Sequence, residues 1–123
     1  GETARFYLAT AYFTLGQYDD ALRQFESFSS SNALLTSAAY AGLARCYEVK
    51  KEFGKSAGYY EKAASAMTNT ATTPEYLSSA ALCYGQAGEK EKAVTLLKRV
   101  KKDFPASSFA READRYISQF SAS

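Results

Sequence analysis

Hydrophobic and polar positions recur along this chain in a helix–turn–helix rhythm. Leu8 and Tyr12 are four residues apart and so share one helical face. Small Ala9 lies between them. Gly16 stands where that helix must stop, because glycine tolerates the left-handed conformation that ends many helices. Asp19 and Asp20 fall in the first turn of the next helix, where negative charge suits the dipole. Ala21 and Phe25 then repeat the spacing of four. A small residue on each helix lets the two backbones approach, with aromatic rings filling the space on either side.

The same pattern occurs three times. Tyr12, Tyr47 and Tyr84 are equivalent, at spacings of 35 and 37 residues. Ala9, Ala44 and Ala81 precede them by three positions, and Leu8, Leu43 and Ala80 by four. In the second helices, Ala21, Ser56 and Ala93 are the small residues, followed four positions later by Phe25, Tyr60 and Leu97. The predicted helices run from Thr3 to Leu15, Tyr18 to Ser29, Ala33 to Val49, Phe53 to Met67, Pro74 to Ala87 and Glu89 to Asp103. The polar run Ser29-Ser30-Ser31-Asn32 and the segment from Thr68 to Thr72 separate the pairs. Thr73 is expected to cap the fifth helix, with Pro74 in its first position.

A seventh helix is predicted over about 107–120. Phe109, Ala113, Tyr116, Ile117 and Phe120 share one face, and Arg111, Glu112, Asp114, Arg115 and Gln119 cover the other. Such a one-sided helix closes the last exposed face of a repeat array. An amphipathic docking helix is the alternative, but its polar face is mixed in charge rather than basic.

This register resembles the tetratricopeptide repeat, with its W-x2-L-G-x2-Y, then A-x3-F, then P pattern. Arg5, Tyr40 and Leu77 stand where that repeat usually has Trp, and Pro105 alone matches the closing proline. The resemblance implies an all-α fold, an α–α superhelix of three helix pairs plus a C-terminal capping helix. The whole chain, 1–123, is then one domain, with repeats at about 3–32, 33–70 and 74–105.

Composition narrows the function. Hydrophobic residues make up 46 % of 123, so the chain is long and apolar enough to bury a core. A net charge of +2 argues against a nucleic-acid partner. No histidine is present, which removes the commonest general base and metal ligand. No catalytic or phosphate-binding motif occurs. Glu52, Glu61, Glu89, Glu91 and Asp103 read as solvated acids, and Lys98-Arg99-Lys101-Lys102 as the exposed end of a helix. Cys46 and Cys83 are expected to be free thiols, because equivalent helices lie about 10 Å apart, beyond disulfide reach. No enzyme activity, cofactor or metal is therefore expected. There is no secretory signal, lipidation motif or apolar run of about 18 residues, so this segment is not expected to insert in a membrane. The chain opens with Gly1-Glu2-Thr3-Ala4 inside the first helix and is expected to be a domain of a longer protein.

The resemblance implies that the first helices of the pairs line a concave groove. The residues it assigns there are Phe6, Thr10 and Phe13, then Ala41, Arg45 and Glu48, then Ser78, Leu82 and Gln86. Phe6 and Phe13 could instead pack on segments outside this sequence. A subset of the family clamps C-terminal carboxylates with Lys, Asn and Arg. Here Phe6, Thr10, Gly42 and Arg45 occupy that region, so no such clamp is expected. The implied partner is a protein or peptide, with self-association as the alternative role. The segments Asn69 to Leu77 and Lys101 to Ser108 are similar to bacterial envelope repeat proteins, especially an ancillary subunit of the Sec translocon. That similarity implies a periplasmic domain of a membrane-anchored protein; a cytoplasmic location is the alternative.

Overall fold

A computed structural model describes residues 1–122. Seven helices follow in order: α1 (Glu2–Thr14), α2 (Tyr18–Ser27), α3 (Ala33–Val49), α4 (Phe53–Ala66), α5 (Thr73–Gln86), α6 (Lys90–Asp103) and α7 (Ser108–Ser121). No strand occurs among the described residues. Each predicted helix is present, with ends displaced by no more than a few positions.

The three turns within the pairs share one hydrogen-bond pattern. The amides of Gln17, Glu52 and Glu89 donate to the carbonyls of Tyr12, Tyr47 and Tyr84, each at 2.9 Å. The amides of Gly16, Lys51 and Gly88 donate to Phe13, Glu48 and Gly85. This double closure requires a left-handed residue just after the helix. Gly16 and Gly88 supply it with φ of 78° and 83°, and Lys51 is forced to φ 63°. A side chain there costs about 1–2 kcal/mol. Lys51→Gly is therefore expected to stabilise the protein by about 0.5–1 kcal/mol, after the entropy glycine adds to the unfolded chain. Chemical denaturation checks this; a loss of stability would contradict the turn geometry.

Ala9, Ala21, Ala44, Ser56, Ala81 and Ala93 are fully buried, so every hairpin closes on a pair of small residues. The Ser56 hydroxyl is satisfied by donating to the Ala44 carbonyl at 2.8 Å. Packing then runs along the array: α2 lies on α3, α4 on α5, and α6 on α7. Two clusters result. One joins α1, α2 and α3 through Ala9, Phe25 and Leu43; the larger joins α3 to α7 around Ala44, Tyr60, Leu77, Leu97 and Val100.

Three expectations change. Leu8 is 44 % exposed, whereas its equivalent Leu43 is 6 % exposed under α2; no helix lies over Leu8 among the described residues. Thr73 does not cap α5. It is the buried first residue of that helix, and the Asn69 carboxamide accepts from the Ala71 and Thr72 amides instead. Glu61 is half-buried rather than solvated, because it accepts the Tyr84 hydroxyl at 2.8 Å across the repeat boundary.

Candidate functional site

The side of the array carrying the first helices is the candidate site, since α1 touches α3 and α5 touches α7 there. Repeat register sorts the nine candidates into layers. Phe6, Ala41 and Ser78 form one layer, and Thr10, Arg45 and Leu82 the next. Phe13 and Glu48 belong to a third, whose member on α5 is Gly85; Gln86 stands one step beyond it.

The first layer is packed rather than open. The Phe6 ring is half-buried, edge-on to Phe25 and Phe28 at 6.0 Å each. It therefore packs on α2 of its own chain. Ala41 is fully buried and Ser78 nearly so. Phe13 is likewise held by its own hairpin, edge-on to Tyr18 at 5.2 Å. Thr10, Arg45, Glu48 and Gln86 are exposed and Leu82 is half-buried. The Thr10 hydroxyl donates to the Phe6 carbonyl at 3.0 Å, and Glu48 accepts the Tyr60 hydroxyl at 2.7 Å. Arg45 pairs with no carboxylate among the described residues. The wall is thus a shallow polar surface with one uncommitted guanidinium at its centre.

Helix α7 adds a component that the sequence reading placed only in the cap. Phe120 lies close against Gly85, where an added Cβ would meet two ring carbons at 2.4 Å. Leu82, Gly85 and Gln86 face Tyr116, Gln119 and Phe120 across a cleft of about 420 Å³. The signal was the glycine itself, at a position where Phe13 and Glu48 stand in the other repeats. A second depression, about 880 Å³, crosses α4 and reaches Tyr40, Lys62 and Arg99. Its cations are already engaged. Lys62 stands over the Tyr59 ring at 4.9 Å, and Arg99 pairs with Asp103 at 3.5 Å.

The titratable groups near the wall are structural. Burial, then the hydrogen bond to Glu61, pushes the Tyr84 phenol up to about 12. Burial and Glu48 push Tyr60 further in the same direction. Burial also raises Cys46 to about 11 and raises Cys83, so neither buried thiol is a nucleophile near neutrality. A raised phenol pKa means that the fold favours the neutral form. Its contribution is complete below the ordinary phenol value of about 10 and is lost as pH climbs through the folded value. Stability is expected to fall above pH about 10. Tyr84→Phe should reduce that fall. Denaturation at stepped pH, read with phenolate absorbance, checks it; a Tyr84→Phe protein with an unchanged alkaline limb would contradict the assignment.

Among the described residues no group of three acidic or cysteine side chains could hold a metal, and no helix is long and apolar enough to cross a membrane. The remaining question is what the repeated hairpin is. Family models described as tetratricopeptide repeat match residues 6–72 and 77–107. The chain belongs to the tetratricopeptide-repeat family. Those matched spans coincide with the hairpins whose turns share one bonding pattern. No curated protein matches the chain. Tetratricopeptide repeats generally mediate protein–protein interaction, and the scaffold described above is of that kind: rigid helices presenting a wall of exchangeable side chains.

Proposed function

We propose that this repeat domain is a non-enzymatic binding module that holds an extended or helical segment of a protein partner along the wall of its first helices. The observation that carries the reading is Arg45, exposed and unpaired between Thr10 and Leu82. An exposed guanidinium flanked by small and apolar surface suits a segment carrying a carboxylate next to an apolar side chain, because bidentate Arg–carboxylate contacts add direction as well as charge. Ala41, one turn before Arg45, is fully buried and so sets no exposed side chain against such a segment. Leu82 and the α7 cleft would then take the apolar side chain.

Acidic and charge-inverted peptide libraries displayed against the domain test the reading. Acidic peptides should be selected, and Arg45→Glu should weaken them about tenfold, or about 1.4 kcal/mol. Retained binding by Arg45→Glu would reject the site. Arg45 is a better probe than Phe6 or Phe13, whose loss would damage the first hairpin.

The setting proposed for this module is the bacterial cell envelope, as the periplasmic part of a membrane-anchored protein similar to the ancillary Sec-translocon subunit. Support comes from the segments Asn69 to Leu77 and Lys101 to Ser108. Cell fractionation tests it, and a cytosolic parent protein would contradict it.

A further inference from the structure

We propose that a slot between α5 and α7 is a specificity pocket for a threonine side chain of the bound segment, whose hydroxyl pairs with that of Ser78. The pocket depends on the binding wall proposed above, of which it is part. The slot holds about 90 Å³. Leu82 on α5, Leu97 on α6, and Phe109 and Tyr116 on α7 supply apolar walls, with Ser78 among them. The half-buried Ser79 and the exposed Glu112 complete it on the solvent side. It adjoins the larger cleft, with which it shares Leu82 and Tyr116.

The observation that singles out this slot is the Ser78 hydroxyl. Ser78 is 8 % exposed, and its oxygen is buried with no hydrogen-bond partner among the described residues. The other buried serines are satisfied: Ser37 donates to the Ala63 carbonyl at 2.7 Å and Ser56 to the Ala44 carbonyl at 2.8 Å. Thr10, Thr14 and Thr95 donate to the carbonyl four residues back, each at 3.0 Å. Ser78 does neither. Its equivalents in the first two repeats, Phe6 and Ala41, carry no polar side chain. A buried hydroxyl without a partner lowers the stability of the free protein, and a ligand that supplies the partner recovers that loss on binding.

Size and chemistry select the occupant. An apolar cavity of about 150 Å³ holds a benzene ring. The slot is smaller, about 90 Å³, and so rejects aromatic side chains. Glu112 on the solvent side disfavours a carboxylate. Valine would fit but would leave the Ser78 hydroxyl buried and unpaired, which is how a polar site rejects an analogue lacking its hydrogen-bonding group. Threonine offers its hydroxyl to Ser78 and its methyl to Leu97 and Phe109.

Urea denaturation of Ser78→Ala reads the hydroxyl in the free protein. The midpoint should rise, because an unpartnered group is removed and alanine favours the helix. A lower midpoint would mean that the hydroxyl is already satisfied, by a held water, and would overturn the proposal. Selection of a random displayed peptide library on the wild-type, Ser78→Ala and Arg45→Glu domains reads the occupant. The wild type should enrich threonine over valine by about three- to tenfold at a fixed separation from the acidic residue, the range of one hydrogen bond. Ser78→Ala should level the two and keep the acidic preference. Arg45→Glu should lose the acidic preference and keep threonine. Equal threonine and valine on the wild type, or a threonine preference that survives Ser78→Ala, would overturn the slot and leave the wall standing. Threonine enriched without an acidic residue would remove the role of Arg45 and leave the slot. Enrichment of neither would remove both.

Discussion

Tyr47→Ala is expected to destabilise the domain by about 3–5 kcal/mol, as for other buried aromatic truncations. Against a typical stability of about 5–15 kcal/mol, that is a large fraction. Tyr47 is 9 % exposed, and its ring lies parallel to Tyr59 at 5.5 Å with a 6° interplanar angle. Lys55 stands over the same ring at 5.1 Å. Truncation removes the stack and the cation contact together and leaves a void between α3 and α4. Tyr59 would also lose one of its two stacked aromatic neighbours, the other being Tyr40 at 6.3 Å. Tyr12→Ala should cost less, because Tyr12 is only half-buried for want of a helix over it. Urea denaturation of both variants checks the order. A silent Tyr47→Ala, or a Tyr12→Ala that costs more, would mean that the two tyrosines are not equivalent members of one register.

Gly42→Ala is expected to cost about 1–3 kcal/mol by overpacking. The new Cβ would lie 2.4–2.7 Å from three carbons of the Phe25 ring. That ring is buried and edge-on to Phe6 at 6.0 Å, so it cannot swing aside without opening the α1–α2–α3 cluster. Helix propensity alone would give the opposite sign, since alanine exceeds glycine by about 1 kcal/mol in a helix. Gly58→Ala supplies the control. It sits in the interior of α4 with nothing within 4 Å of the added carbon, and should be stabilising. If both substitutions stabilise, the close approach of α2 to α3 is misplaced.

Much of the fold was legible because a repeat writes its local code three times. A glycine after the first tyrosine fixes one turn weakly; the same turn after Tyr12, Tyr47 and Tyr84 fixes the pairing of six helices. Lys51 hid the second copy of that signal, since only the backbone shows that it adopts the glycine conformation. What periodicity cannot supply is the neighbour. Leu8 and Leu43 have the same sequence context, yet one is covered by α2 and the other by nothing described. Phe6 and Phe13 fell on the groove side by register, but their rings reach back to α2. Contacts between repeats were also out of reach: Tyr84 to Glu61 spans 23 residues, and no local rule joins them. Of the groove residues, Arg45, Thr10, Glu48 and Gln86 are open and Leu82 half-open, whereas Ala41 and Ser78 form the floor beneath.

The most direct test of the binding wall is a chemical-shift titration of isotope-labelled domain with an acidic peptide selected from the displayed library. Shifts are expected at Thr10, Arg45, Glu48, Leu82 and Gln86, extending to Gln119 and Phe120 across the cleft. Shifts confined to α2, α4 and α6, with Arg45 and its neighbours unmoved, would contradict the account.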